Sequence, residues 1–222
     1  MHASFSLSSS TGRRPSFPAT PTIAHERLMA ARNNNVLLPA ESRPVIKYSF
    51  PPIGPSGAHL LILGTLPGEE SLRLKQYYGH PRNHFWPIMA ALSGKPLPLT
   101  YEERVALLEI NRWAVWDVLE GAERIGSADA AIRNPIANAF GAYFAENPAI
   151  RSIAFNGQKA RDLFRRFVLK PGTVAADDFT MIELPSSSPL YTKTLDEKLT
   201  VWRDKLTPYT EPAGKRQELR VK

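Results

Sequence analysis

The residues best suited to bind a flat polar ring lie within ten positions of this chain, from Tyr77 to Trp86. Tyr78 can stack on such a ring, the amide of Asn83 can donate and accept hydrogen bonds, and Arg82 can neutralise a phosphate. Each also has an ordinary structural explanation, because aromatic clusters usually lie in cores and asparagine often caps a helix. The segment therefore indicates a binding site only if other parts of the chain converge on it.

A turn just before this segment provides the first support. The apolar run at 59–63 predicts a buried strand, and Gly64-Thr65-Leu66-Pro67-Gly68 follows it. Glycine and proline allow a sharp bend, and open α/β sheets bind ligands at the carboxyl ends of their strands. We therefore predict that Thr65 and Leu66 contact a bound ring, although Pro-Gly turns are also common without a ligand.

Two further polar segments follow apolar runs. Asn156 comes after the run at 151–155, where its amide can face the edge of a ring or simply cap the next helix. The loop that begins at Leu184 places small hydroxyls between prolines ahead of an apolar tip, which suits holding a DNA phosphate and entering the base stack. A plain surface loop is the alternative. The loop residues that we predict to contact DNA are Ser186, Ser187, Ser188, Leu190 and Tyr191.

The remaining pattern predicts the scaffold. Apolar runs predict four strands, at 59–63, 113–118, 151–155 and 179–184. Helical spacing predicts helices at 69–77, 84–93, 101–109, 134–146, 157–168 and 194–206. Strands separated by helices imply a three-layer α/β/α sandwich with a central, mainly parallel four-stranded sheet. Because parallel strands end at one edge, we expect the polar segments to line a single cleft.

Composition limits the chemistry and the partners. The 222 residues, 43% of them hydrophobic, suffice for one full core. The absence of cysteine excludes disulfides, a thiol nucleophile and Cys-ligated metals, and the five histidines show no metal-binding spacing. No apolar run approaches the roughly 20 residues that span a bilayer. We expect no metal, no other cofactor and no membrane partner.

The net charge of +7 lies mainly at the two ends of the chain. Residues 1–45 carry +3 and residues 208–222 carry +2, which suits a polyanionic partner. We predict a disordered, Ser- and Pro-rich basic extension at 1–45, a folded domain at 46–207 and a basic tail at 208–222. The first 25 residues contain no acid, so an organellar transit peptide and a bacterial cytoplasmic protein both stay open.

Together these residues resemble the uracil-DNA glycosylase superfamily, and most closely its hypoxanthine (deoxyinosine) DNA glycosylase family. The resemblance covers roughly residues 46–206 in the family's order. The motifs that carry it are Leu63-Gly64-Thr65-Leu66-Pro67-Gly68, Ser71, Tyr77-Tyr78, Pro81-Arg82-Asn83, Phe85-Trp86, Trp116-Asp117-Val118, Gly126-Ser127-Ala128-Asp129, Ile132-Arg133-Asn134, Phe155-Asn156-Gly157 and Leu184-Pro185-Ser186-Ser187-Ser188-Pro189.

Two departures from the superfamily bear on catalysis. Most members have Asn or Asp directly before the Pro-Gly of the first turn, where this chain has Leu66, which cannot position water. The hypoxanthine family also lacks a polar residue there, and the resemblance implies that the catalytic asparagine is Asn83. Many relatives stabilise departing uracil with a histidine in the last loop, where Leu184 precedes Pro185 and Ser186 here. Robust uracil excision is therefore not expected.

The resemblance implies a DNA repair enzyme without a cofactor. We expect a monofunctional glycosylase, because no lysine is placed as an evident amine nucleophile, and we expect a monomer. It would bind double-stranded DNA containing a deaminated base, flip the nucleotide and hydrolyse its N-glycosidic bond. Tyr78 would stack on the base, Asn156 would read its polar edge, and Arg82 would contact phosphate. Two alternatives stay open: an enzyme for uracil or a broad range of deaminated bases, and a non-catalytic nucleic-acid-binding module that keeps the cleft.

Overall fold

The computed structural model describes residues 46–209. The predicted extension at 1–45 and the tail from residue 210 onward lie outside the described residues, so both stay predictions. Within the described part, no helix is long and apolar enough to cross a membrane. The strands, in chain order, are β1 (Ile46–Tyr48), β2 (Leu60–Gly64), β3 (Trp113–Asp117), β4 (Leu119–Glu123), β5 (Arg133–Ala137), β6 (Ser152–Asn156) and β7 (Thr180–Leu184).

The larger sheet consists of four parallel strands in the order β3-β2-β6-β7. Each of these strands begins and ends within one residue of a strand predicted from the sequence. Every residue of β2, β3 and β6 is buried. Because successive side chains point to opposite faces of a sheet, both faces must be covered. The predicted three-layer α/β/α sandwich with a parallel four-stranded sheet is therefore confirmed.

The helices supply the two outer layers. Helix α2 (Phe85–Leu92) packs against α3 (Tyr101–Asn111) and α6 (Leu195–Leu206). Helix α3 contacts β3, and α5 (Gln158–Phe164) contacts β6 and β7. Thr100 and Thr194 form capping boxes that fix the starts of α3 and α6. The α-helices of the described residues are α1 (Glu69–Leu74), α2 (Phe85–Leu92), α3 (Tyr101–Asn111), α4 (Phe140–Glu146), α5 (Gln158–Phe164, continued by a π-helical turn at Arg165–Leu169) and α6 (Leu195–Leu206).

A second, antiparallel sheet has the order β1-β4-β5 and was not expected from the sequence. The helix predicted at 134–146 is wrong over its first part, because β5 occupies 133–137 and α4 begins only at Phe140. Pro135 lies within β5, which is an edge strand of this sheet. Proline lacks a backbone donor, so a strand that contains it is confined to such an edge.

The strand order places a crevice between β2 and β6. The other neighbour of β2 is β3, at one edge of the sheet, and the other neighbour of β6 is β7, at the opposite edge. Open α/β sheets bind ligands at the carboxyl ends of strands where the order reverses in this way. The crevice contains Gly64 at the end of β2 and Asn156 at the end of β6, next to Asp117 at the end of β3.

Candidate active site

A cavity of about 720 Å³ opens at this crevice. It brings together the turn after β2, the segment before α2 and the loop after β7, as the single predicted cleft requires. The sequence-predicted site residues that line it are Thr65, Leu66, Tyr78, Arg82, Asn83, Asn156, Ser186, Ser187, Ser188, Leu190 and Tyr191. The structure thus brings all of these residues to one cavity, and the role of each residue stays a prediction.

The turn after β2 is fixed by a buried arginine. Arg124 donates from Nη1 to the carbonyl of Leu66 at 3.2 Å and from Nη2 to the carbonyl of Pro67. Burial lowers the pKa of Arg124, while the nearby Asp129 and Asp117 act in the opposite direction. The Leu66 side chain is itself buried in the core. This contact joins residues almost 60 positions apart, and it holds the turn in one shape at the wall of the cavity.

Asp129 and Ser127 form a second wall of the cavity, and neither is among the site residues predicted from the sequence. Asp129 Oδ1 accepts a hydrogen bond from Thr65 Oγ1 at 2.8 Å and lies 3.7 Å from Nη1 of Arg124. Ser127 Oγ accepts from the backbone N–H of Glu69 at 3.0 Å, at the start of α1. The hydroxyl proton of Thr65 is therefore already engaged, so its predicted contact with a base must use other atoms. The sequence signal was present, since both residues lie in a motif that carries the resemblance.

Asn83 is held at the entrance to α2. Its Oδ1 accepts a hydrogen bond from the backbone N–H of Phe85 at 2.9 Å, and its own N–H donates to the carbonyl of His80 at 2.9 Å. The N-cap position itself is His84, so Asn83 caps the first backbone donor of α2 from one residue before the N-cap. This cap does not exclude a catalytic role, because an amide oxygen has a second lone pair and the amide nitrogen carries two protons. The cap holds the amide where it lines the cavity.

Tyr78 presents one ring face to the cavity because the other is covered. Its ring stacks on Phe85 with 3.8 Å between centroids and 18° between planes. Its φ of 53° is uncommon for a residue with a side chain, so the local backbone is strained to hold this position. The hydroxyl is buried without a hydrogen-bond partner among the described residues. Burial, reinforced by Asp117, raises the pKa of Tyr78, and the hydroxyl stays a neutral donor.

Asn156 is paired with the last loop. Its Oδ1 accepts from the backbone N–H of Ser187 at 2.7 Å, and its Nδ2 donates to Ser187 Oγ at 2.8 Å. One amide proton and one lone pair are left for a ligand. Ser187 is fully buried, and its hydroxyl and N–H orient Asn156 through this pairing, while its predicted contact with DNA stays a prediction.

The loop after β7 is anchored on one side and free at its tip. Trp202 Nε1 donates to the carbonyl of Pro185 at 2.8 Å, and Lys198 Nζ donates to that of Ser188 at 2.9 Å. Leu190 is 66% exposed and Tyr191 is 40% exposed, with the Lys198 ammonium 5.4 Å from the tyrosine ring centroid. Leu190 is therefore the less restrained of the two predicted wedge residues.

The backbone N–H of Ser188 donates to Ser186 Oγ at 3.2 Å, which stiffens the loop further. Arg82 is exposed and lines the same cavity, and its backbone N–H donates to His80 Nδ1 at 3.1 Å. Its guanidinium makes no hydrogen bond or ion pair with any residue between 46 and 209, and it is exposed, so a phosphate can reach it. Among residues 46–209 no cluster of three or more His, Cys, Asp or Glu side chains could hold a metal ion.

Asp117 is a buried carboxyl at the floor of the cavity that the predicted site residues also omit. It is 3% exposed, and its Oδ2 accepts a hydrogen bond from Ser49 Oγ at 2.9 Å. Burial raises the pKa of Asp117 to about 7, and the charge of Asp129 acts in the same direction. The sequence does contain an indication of this residue, because Asp117 is the single acid at the end of an otherwise apolar strand. That end lies at the same edge of the sheet as the other polar residues of the cavity.

Comparison with known proteins places the chain in a family. The family model described as "Uracil DNA glycosylase superfamily" matches residues 51–206, which include the whole cavity. A protein from Methanosarcina barkeri named hypoxanthine DNA glycosylase is 36% identical over 115 residues, covering 51% of this chain and 73% of its own length.

Two further matches are to sequences or structures from Methanosarcina acetivorans. One is named hypoxanthine DNA glycosylase and is 39% identical over 117 residues, which are 52% of this chain and 74% of the relative. The other is the solution NMR structure of a proposed uracil DNA glycosylase, with a TM-score of 0.59 and 33% identity. That match covers 72% of this chain and 98% of the other.

Proposed function

Since this chain belongs to the uracil DNA glycosylase superfamily, we propose that it is a DNA glycosylase that excises hypoxanthine from deoxyinosine in double-stranded DNA. The observation that carries the proposal is that Tyr78, Asn83 and Asn156 line one cavity beside a loop with an apolar tip. The two relatives named hypoxanthine DNA glycosylase support the choice of base. We also propose that the enzyme acts as a monomer, which is consistent with a cavity lined by residues of one chain.

Entry of the base requires flipping. A base in a duplex is out of reach of a cavity, and extruding it costs a few kcal/mol, least where the base is mispaired. Leu190, exposed at the tip of the anchored loop, enters the stack and fills the space that the nucleotide leaves. Arg82 and the hydroxyls of Ser186 and Ser188 hold the neighbouring phosphates.

The flipped base then lies between the elements that end at the crevice. The open face of Tyr78 stacks on it, because Phe85 covers the other face. The amide proton and lone pair of Asn156 that Ser187 does not use bond to its polar edge. Because Phe85 and Ser187 fix both groups in advance, little ordering remains when the base arrives.

Hydrolysis breaks the bond between N9 of hypoxanthine and C1′ of the sugar. The electron pair of this bond leaves with the base, a water oxygen bonds to C1′, and the water proton ends on the base or in solvent. Asn83 orients the water or bonds to the sugar and base as the bond lengthens, since an amide is too weak a base to do more. Rate enhancement comes from positioning and from stabilising the charges that develop on sugar and base.

The substrate range is tested with labelled duplexes that contain deoxyinosine, deoxyuridine or only normal bases, treated with alkali after incubation. We expect alkali-dependent cleavage mainly at inosine. Cleavage mainly at uracil would move the enzyme to another branch of the superfamily and contradict the argument from Leu66. Binding of lesion duplexes by folded protein without cleavage of any of them would favour the non-catalytic module.

Leu190→Ala is expected to reduce excision from a well-paired inosine–cytosine duplex by about tenfold, because a stack-filling side chain contributes on the order of 1–2 kcal/mol. The loss should be smaller for inosine in single-stranded DNA, where no stack has to be opened. Rates are measured in single-turnover assays. Ile110→Ala, which removes an equally apolar side chain that is 72% exposed on α3, is the matched control and should leave both rates unchanged. Equal losses on both substrates would contradict a wedge role.

A further inference from the structure

We propose that a second cavity, beside the candidate active site, is a subsite for a phosphate of the DNA strand near the flipped nucleotide, and that Arg104 binds this phosphate. The inference rests on the proposed function, because it names where the DNA that carries the base is held. The second cavity has a volume of about 440 Å³. Tyr78, His80 and Asn83 line both cavities, so the segment that contains Asn83 is the wall between them.

The second cavity lies at the same edge of the central sheet as the active site. Helix α3 ends at Asn111 and β3 begins at Trp113, so the end of α3 lies at the amino end of β3. The 11 residues of α3 span about 16 Å, as do the five residues of β3. The helix packs on this strand, so its first residue, Tyr101, lies near the strand's carboxyl end. Tyr101 Oη accepts the backbone N–H of Tyr77 at 3.1 Å, which ties the cavity to the active-site segment.

Arg104 is a half-buried cation in this cavity without an acidic partner. Its Cζ lies 6.0 Å from the centroid of the Trp86 ring, and its Nε donates to the carbonyl of Pro98 at 3.4 Å. These contacts hold the side chain in place. Its Nη1 and Nη2 make no hydrogen bond or ion pair with any residue between 46 and 209. The N–H groups of these two nitrogens are therefore available in the planar arrangement that binds a phosphate.

The surroundings of Arg104 favour the backbone of a nucleic acid. No acid is among the described residues that line the cavity. The carboxylate of Glu103 is engaged elsewhere, because it accepts the backbone N–H groups of Leu99 and Thr100 at 2.9 and 3.0 Å. Leu97 and Leu99 also line the cavity and are 48% and 90% exposed. A DNA strand offers a phosphate to the cation and a deoxyribose to the leucines. It is already held at the neighbouring cavity, which favours it over an acidic peptide.

The test neutralises one phosphate at a time. Duplexes carry one non-cleavable 2′-fluoro-arabino deoxyinosine and a single methylphosphonate, placed in turn at each phosphate near it. Affinities are measured for the wild type and for Arg104→Met, which keeps an unbranched side chain over Trp86 without the charge. We expect one position at which neutralisation weakens wild-type binding by about 10-fold but Arg104→Met binding by less than about twofold. On the unmodified phosphate backbone, the slope of log affinity against log salt should become shallower by about 0.9 in Arg104→Met, as for the loss of one phosphate contact.

Two further variants make the result specific, and thermal unfolding establishes that each protein is folded. Arg104→Lys keeps the charge and should restore the wild-type salt slope. Arg151→Met removes the same charge directly before β6, at the opposite edge of the sheet, and should leave the slope unchanged.

The inference is overturned if no phosphate position distinguishes folded Arg104→Met from the wild type, or if Arg151→Met alters the salt slope as much as Arg104→Met. The cavity would then be left to an acidic peptide. Excision of hypoxanthine from a cleavable deoxyinosine duplex by the wild type is assayed in parallel. It reports on the proposed function separately, because the affinities are measured on DNA that cannot be cleaved.

Discussion

Asn83→Ala is expected to slow single-turnover excision of hypoxanthine by about 100-fold or more. A single hydrogen-bonding group aimed at developing charge commonly contributes about 3–4 kcal/mol to the transition state. Asn83 is placed for this because its amide is fixed by Phe85 and lines the cavity, while Leu66 in the turn after β2 is apolar and cannot position water. Release of the base is measured with enzyme in excess over a deoxyinosine duplex.

The Ala variant also removes the hydrogen bond to the N–H of Phe85 at the start of α2, which by itself costs about 1 kcal/mol of stability. Asn83→Ser is the matched control, because a serine hydroxyl can still accept the N–H of Phe85 but offers no amide to the substrate. We expect Asn83→Ser to unfold closer to the wild-type temperature and yet to be as slow as Asn83→Ala. Near-wild-type excision by either variant would remove Asn83 from catalysis and leave it as a cap.

Asp117→Asn is expected to stabilise the protein above neutral pH, by up to about 4 kcal/mol. The pKa of Asp117 is about 7 in the folded protein against 3.8 for an ordinary aspartate, because burial penalises its charge. The folded state therefore binds the proton more tightly than the unfolded state. The stabilisation that comes from this tighter proton binding is complete below pH 4 and is lost as the pH rises through 7. The pKa difference is roughly three units, and each unit corresponds to about 1.4 kcal/mol.

An asparagine at this position stays neutral over the whole range and can still accept a hydrogen bond from Ser49. The difference in free energy of unfolding between Asp117→Asn and wild type should thus be larger at pH 8 than at pH 5, as measured by urea denaturation. Asp204→Asn changes an exposed carboxyl on α6 and controls for net charge. A difference for Asp117→Asn that does not change between pH 5 and pH 8 would contradict the burial of an ionisable carboxyl.

The sequence predicts the central sheet well because each of its strands is a short apolar run bounded by polar residues. The convergence of Tyr78, Asn83 and Asn156 could also be predicted, since parallel strands end at one edge. The small sheet could not: β1 has three residues, and β5 contains Pro135 ahead of a genuine helix, so local pattern favours one continuous helix over 134–146.

The residues that hold the site residues in place could not be predicted from the sequence, for a different reason. Arg124 acts on a turn almost 60 residues earlier, and Ser187 bonds to Asn156 from 31 residues later. Such long-range pairings leave no periodicity, and the hydroxyl of Ser187 looks the same in sequence as those of its neighbours. Only the packed structure distinguishes a serine that orients another side chain from one that is open to DNA.

The most direct test of the central claim is the identity of what the wild-type protein releases from a duplex with one deoxyinosine. Chromatography with mass detection would follow the free base, and electrophoresis without alkali would follow the strand. The account predicts one equivalent of free hypoxanthine for each abasic site and an intact strand. Folded protein that binds the duplex but releases no hypoxanthine would contradict it.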